Sequence, residues 1–509
     1  MTTVAEKPKT TAIGRACALG IVALALLSWR PARTDDIFMY AATGRWIVDH
    51  QSIPHTDPFS WTAAGQTWQS NGWLWGVLAW LAFSVGGYAL LSLLGPLFLV
   101  GAGASMYFAS RAFGADGATA SVAALIGTFV LVPFTESRPQ MASYVCFALS
   151  IGLAERAYAR GRLRLPWLVA LAGVMVVWAN LHGTALLGVG VIGVVIGIEA
   201  LWPGPRLAAR SEPGSESGSG SVGLGHRVGA AAVVAVVASV AILVNPYGLD
   251  LYRHAAEVRA ESRATITEWY PLYTIGWTAL PTILFGIVLV IGVLVVVRGR
   301  GWQRPELLGL MGVTGLLAID SNRVVAFFAI ATVVAGSAIV GRLSSSVTAS
   351  ADWAGSPMVS FGGWLLLGAA VVVVLFQWSA IGQPNAELPV ATVDALPSGC
   401  RLLNDRAVGG FVLLRRPDIP VAADGRNDLY GTAGDRLQEE WFQPESTGGD
   451  LAELDREGVT CVLTYDQSLL PDELVARGWT RVATGGPGIA VIAPAAAPGP
   501  AAASAGAGS

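Results

Sequence analysis

Apolar runs of about twenty residues recur along the chain, separated by short polar segments, and this period is that of membrane-crossing helices. Hydropathy predicts eleven spans: residues 11–30, 88–110, 117–135, 139–158, 165–179, 183–202, 228–244, 277–298, 305–319, 324–342 and 360–380. Two of these, 165–179 and 305–319, are short and read as tilted partners or half-spans. Residues 73–85, ahead of Gly86 and Gly87, read as a surface helix or as one more span. The choice matters, because another span would invert everything downstream. Charge decides it. With the N-terminus inside, arginines such as Arg111, Arg156, Arg164, Arg227, Arg298 and Arg304 fall in cytoplasmic loops, as the positive-inside rule asks. The first apolar run has no small-residue cleavage site before Arg30 and Pro31, so it is expected to be an uncleaved span rather than a signal peptide.

The pattern changes after Ile381. Short β-type runs at Arg401–Asn404, Pro420–Ala423, Cys461–Tyr465, Arg481–Ala483 and Ile489–Ile492 alternate with helical stretches at Gly410–Arg415, Asp435–Phe442, Asp450–Glu457 and Asp472–Arg477. The alternation predicts a small α/β domain with a mostly parallel sheet and a terminal hairpin. The expected fold class is therefore an α-helical polytopic membrane protein with a small extracytoplasmic α/β domain. Its parts are a membrane domain over 1–386 with a large first outer loop (31–87), the α/β domain over 387–493, and a disordered Ala/Gly/Pro tail over 494–509. A Gly/Ser/Pro-rich segment, 203–227, reads as a flexible inner linker.

Composition agrees with the pattern and narrows it. Hydrophobic residues make up 53% of 509 residues and charged residues only 13%, with a mean hydropathy of +0.55. A net charge of −3 with lysine only at Lys7 and Lys9 argues against a nucleic-acid partner. Four cysteines, none in metal-site spacing, exclude a disulfide-dense scaffold. Cys400 and Cys461 fall at or beside predicted strands outside the cytoplasm; whether they join is left open.

Where acids are scarce, a concentration of them is informative. Arg33–Trp73 carries Asp35, Asp36, His55 and Asp57 among interleaved aromatics, directly after the first span. The predicted sidedness puts four further polar clusters on the same outer face: Glu136–Gln140, Asn180–Gly183, Asn245–Tyr270 and Asp320–Arg323. Several sit between apolar runs with almost no spacer, where polar groups are costly unless they are used or paired. Helix capping is the plain alternative for Asn, Ser, Gly and Pro at such ends.

No GxxxxGK[ST], HExxH or GxSxG motif is present, so no nucleotide is expected as cofactor. What remains is carboxylate chemistry. Transfer of a group to a hydroxyl needs a carboxylate to take the proton and cations to hold a departing phosphate. Asp36 is the first candidate for the base and Asp57 the second. Arg138, Asn180, His182, Asn245 and Arg323 are candidates to bind substrate, since the arginine fork suits phosphate. Asp35, His55 and Glu268 join them as further substrate contacts, although a solvated neighbour or helix cap is the favoured reading of Asp35, and belt anchoring competes for the Glu268–Tyr270 segment. Asp424 and Arg426 in DGRNDLY read as a structural ion pair ahead of an acceptor site.

The run DDIFMYAATGRWI with IPHTDPFSWT, the later RPQ, NLHG, NPYG and SNR signatures, and GGF with ADGRNDLYG together resemble the GT-C glycosyltransferases, membrane enzymes that use lipid-linked sugars. The resemblance covers nearly the whole chain and implies a polyprenyl-phosphate sugar donor, a glycan, lipid or protein acceptor, membrane lipid around the helices, action at the outer face, and a first-loop carboxylate that lands on Asp36. Some members hold a divalent metal between acids. Here the acids are adjacent, and Gly72 stands where an acid is expected before Trp73–Leu74, so a metal stays open and no metal ligand is assigned. Two other readings remain: a flippase for lipid-linked sugars, and a non-catalytic assembly protein with an outer binding domain.

Overall fold

The computed structural model describes residues 9–159, 161–202, 223–341, 357–442, 451–464, 469–482 and 487–494. The stretches 203–222 of the expected linker, 342–356 and the tail from 495 lie outside the described residues. The chain divides into two compact units. The first comprises residues up to 32 with 43–53 and 69–383; the second comprises 33–42, 54–68 and 384 onward. Two pieces of the first loop, 33–42 and 54–68, thus group with the chain from 384 onward.

The first unit is a bundle of helices, most of them apolar. Its members are α1 (Lys9–Leu27), the later part of α2 (Asp35–His50), α3 (Trp73–Ala112), α4 (Gly117–Leu131), α5 (Pro139–Tyr158), α6 (Leu165–Leu181), α7 (Ala185–Leu201), α8 (Leu224–Ala241), α9 (Asp250–Thr265), α10 (Leu280–Arg298), α11 (Pro305–Asp320), α12 (Val325–Val340) and α13 (Pro357–Ile381). Six of the described helices are long and apolar enough to cross a membrane, and three shorter apolar ones accompany them.

The helix ends follow local chemistry. Proline sits in the first turn of α5, α6, α10 and α11, where its missing N–H removes nothing. Asp116 caps α4 by accepting from the N–H groups of Ala118 and Thr119. Within α3, Gly86 and Gly87 leave helical geometry. Residues 73–85 thus form a separate rod of about 20 Å, short of the ~30 Å hydrocarbon layer. The helices α3 and α5, α1 and α13, and α11 and α12 pack pairwise. At one crossing α2 meets α3 so closely that a Cβ on Gly44 would stand 1.9 Å from the carbonyl oxygen of Gly76.

The second unit holds a four-stranded sheet in the order β1 (Leu402–Asn404), β2 (Cys461–Thr464), β4 (Ile489–Ile492), β3 (Thr480–Val482). Only β1 and β2 are parallel; β4 runs antiparallel to both its neighbours. The sheet is mixed rather than mostly parallel, because the expected hairpin inserts its second strand beside β2. Val421 bridges both Leu402 and Ser60, so the first loop lines up beyond the β1 edge. Leu403, Trp441, Phe442, Val462, Leu474 and Trp479 form the core, with Trp61 packed against it. Cys400 and Cys461 are buried free thiols.

Candidate active site

The acids of the first loop belong to the second unit. The stretch DDIFMYAATGRWIVDH is not a loop but the helix α2, with both acids in its first turn, where they complement the helix dipole. Ile37, Phe38, Met39, Ala41 and Ala42 are buried, and the Phe38 ring meets Phe411 edge-on at 5.2 Å. Asp35 is not a solvated neighbour. Its Oδ1 accepts the N–H of Phe411 at 3.0 Å and its Oδ2 accepts that of Gly425 at 3.1 Å. Desolvation and the nearby Asp424 carboxylate push its carboxyl up to about 8, against the pull of backbone N–H groups. Asp36 is partly exposed, and its Oδ1 lies beside Gly425.

Asp57 is locked into a buried knot. It accepts from the N–H groups of Phe59 and Ser60 and from the Ser60 hydroxyl, and Arg426 Nη1 donates to it at 2.6 Å. The same guanidinium reaches both oxygens of Asp424, at 2.8 and 2.6 Å. It also donates to the Tyr430 hydroxyl and lies over the rings of Phe59, Trp68 and Tyr430. Arg426 is 1% exposed. DGRNDLY is thus an ion-paired turn whose partner, Asp57, comes from the first loop. His55 is exposed and contributes a backbone carbonyl that accepts from Trp68 N–H.

A second cluster forms within the first unit, at the helix ends that carry RPQ, NLHG and SNR. Glu268 Oε1 accepts from Arg138 Nη1 at 2.9 Å, and its other oxygen stands 4.0 Å from Arg323. Burial opposes its charge, yet the two guanidinia and the hydrogen bond hold its carboxyl below the ordinary range. Glu268 is therefore a counter-ion, a role that neither the substrate-contact nor the belt-anchoring reading included. Arg323 lies over the Trp269 ring at 5.1 Å. Asn322 donates to the carbonyls of Thr267 and Tyr270, which fixes the turn that carries Glu268.

His182 is buried. Its Nδ1 is 2.9 Å from both the Ser143 and Thr184 hydroxyls, and its Nε2 makes a long 3.5 Å contact with Arg323 Nη2. Arginine has only donors, so Nε2 is the acceptor and Nδ1 carries the proton. Desolvation, then Arg323 and Arg138, hold its pKa well below 6.5, which keeps the ring neutral. Asn180 is fully engaged, accepting from Trp73 Nε1 and donating to the carbonyls of Val176 and Val244. Asn245 closes its own turn onto Ile242, Tyr247 and Gly248. Both amides act as capping groups.

Ser143 and Thr184, which seat His182, escaped sequence reasoning because single hydroxyls in apolar runs look like ordinary helix residues. Among the described residues no three His, Cys, Asp or Glu side chains group so as to hold a metal ion. The oxygens of Asp35 and Asp57 already serve backbone N–H groups and Arg426.

No protein-family model and no curated protein matches the chain. Solved structures do. The oligosaccharyltransferase of Archaeoglobus fulgidus, tethered with an acceptor peptide, superposes with a TM-score of 0.60 at 13% identity over 90% of this chain and 69% of its own. The chain has the GT-C fold. The oligosaccharyltransferase AglB, also from Archaeoglobus fulgidus, in complex with an inhibitory peptide and a dolichol-phosphate, gives a TM-score of 0.57 at 12% identity, covering 90% of this chain and 69% of that one. The mycobacterial arabinofuranosyltransferase AftD gives 0.50 at 12% identity, with 95% of this chain matched to 40% of that one. The GT-C fold is thus shared with proteins from archaea and bacteria at identities that leave the site residues to be read from this chain alone.

Proposed function

We propose that the protein is an integral membrane glycosyltransferase that moves a sugar from a polyprenyl-phosphate donor to a hydroxyl of an envelope acceptor, on the outer face of the membrane. The observation that carries this reading is the GT-C fold, which the chain shares with an archaeal oligosaccharyltransferase. AglB with dolichol-phosphate supports a lipid-phosphate donor by analogy of fold.

In the proposed reaction Asp36 takes the proton of the acceptor hydroxyl. The acceptor oxygen bonds to the anomeric carbon as the bond from that carbon to the phosphate oxygen breaks, and the polyprenyl phosphate leaves with the electron pair. Arg138 and Arg323 hold that phosphate, the planar fork of each suiting its oxygens. His182, being neutral, acts by orienting Arg323 rather than by adding charge. Asp57 supports the fold, which leaves Asp36 as the base.

The test is transfer by the purified full-length protein in lipid nanodiscs, supplied with a panel of polyprenyl-monophosphate hexoses and pentoses. Glycosidic product is expected from wild type and is expected to fall at least 100-fold in Asp36→Asn. Unchanged transfer by that variant would refute the mechanism. Accumulation of lipid-linked sugar across proteoliposomes without bond formation would instead support a flippase.

A further inference from the structure

The proposed reaction leaves unused the neighbour of its base and the turn that touches it. One peptide unit of the C-terminal domain meets both acids. The N–H of Gly425 donates to Asp35 Oδ2, while a Cβ on Gly425 would stand 2.5 Å from Asp36 Oδ1 and 3.5 Å from Asp35 Oδ2. Gly425 is not among the glycines with positive φ, so its backbone is open to any L-residue. What demands glycine here is space, and the space is filled by the Asp36 carboxylate. Asp35 is the second half of the device. It sits one residue before Asp36 and is pinned by Phe411 N–H as well as Gly425 N–H, so the first turn of α2 cannot rotate without breaking both bonds. The turn itself is rigid, since Arg426 ties Asp424 to Asp57.

We propose that Gly425 and Asp35 are positioning residues: the Asp424–Arg426 turn belongs to the catalytic apparatus and sets where the Asp36 carboxylate stands. This rests on the reading of Asp36 as the base. It gives the C-terminal domain a task in the reaction itself, beyond any role in holding an acceptor.

The experiment compares wild type, Gly425→Ala, Gly410→Ala, Asp35→Asn and Asp36→Asn, each full-length in nanodiscs. Readouts are kcat, KM for a polyprenyl-monophosphate sugar, binding of polyprenyl phosphate alone, and the melting temperature. A displacement of about 1 Å at a catalytic group can cost about 100-fold. Gly425→Ala is expected to lose about that in kcat while KM, polyprenyl-phosphate binding and melting temperature stay within twofold or 2 °C of wild type. Gly410→Ala is the structural contrast, because its Cβ would strike the backbone oxygen of Asp35 at 2.6 Å; it is expected to lower the melting temperature. Asp35→Asn keeps one acceptor and is expected to lose kcat partially.

Wild-type kcat in Gly425→Ala overturns the proposal. So does a Gly425→Ala that loses stability and phosphate binding in step with Gly410→Ala, since that is a purely structural role. Full activity in Asp36→Asn sinks the underlying mechanism instead, whereas an inactive Asp36→Asn beside a fully active Gly425→Ala sinks the positioning role alone.

Discussion

Arg426→Met is the sharpest perturbation of the second unit. Methionine keeps an apolar stem but removes the guanidinium between two carboxylates whose side chains have no exposed surface. Removing one partner of a buried pair costs about 3–5 kcal/mol. Loss of a cation from the faces of Phe59, Trp68 and Tyr430 adds on the order of 1–2 kcal/mol. The sum, roughly 4–7 kcal/mol, is comparable with the whole stability of a domain, about 5–15 kcal/mol. Hydrogen exchange on the nanodisc-embedded protein reads this directly. Amides of Leu402–Asn404 and Cys461–Thr464 are expected to lose protection, while α5 and α12 keep theirs. A double-mutant cycle with Asp57→Asn isolates the pairing across the 369-residue separation. A loss under about 1 kcal/mol, or additive single effects in the cycle, would refute the assignment of Asp57 to this knot.

Two further outcomes are expected. Asp35 keeps its proton in the folded protein up to about pH 8, whereas the unfolded chain releases it near 3.8. The stability this gives is full below the lower value and is lost as pH rises toward the upper one. Melting temperatures of wild type should fall across that window and those of Asp35→Asn should fall less; parallel slopes would discard the shift. Cys400 and Cys461 are buried free thiols, and Cys461 pairs with Leu402, two residues from Cys400, so they are expected to join on treatment with an exchangeable disulfide. Peptide mapping without reductant should find the 400–461 link, and its absence under conditions that oxidise the unfolded chain would show the thiols to be apart.

Much of the helical bundle was legible because a span must be a long apolar run, and the runs at 117–135, 139–158 and 360–380 are close to α4, α5 and α13. The helix α2 was legible too, in Ile37, Phe38, Ala41 and Ala42 at helical spacing, but the concentration of acids drew the reading toward a loop. Another helix, α9, lies inside the expected outer segment Asn245–Tyr270 for the same reason: its face is polar. Terminal strands came through closely, Ile489–Ile492 with matching bounds. The order of the sheet did not, since nothing local places β4 beside β2. Least legible was the fate of individual acids. Asp35, Asp36 and Asp57 look alike in sequence, and what separates them is Phe411, Gly425 and Arg426, hundreds of residues downstream. No periodicity or motif carries information over that distance.

That distance also sets an order of events in time. The bond from Phe411 to Asp35 spans 376 residues, and at roughly 5–20 residues per second of synthesis its two ends leave the ribosome about 20–75 s apart. The acid-bearing turn is therefore made almost first and completed almost last. While the intervening helices insert, Asp35 and Asp57 await their partners, and a chain cut short between residues 382 and 410 has the helices through α13 but lacks Phe411, Gly425 and Arg426, the partners of those acids. The arrangement on which the proposed chemistry depends is therefore complete only once residues 411–426 have been made.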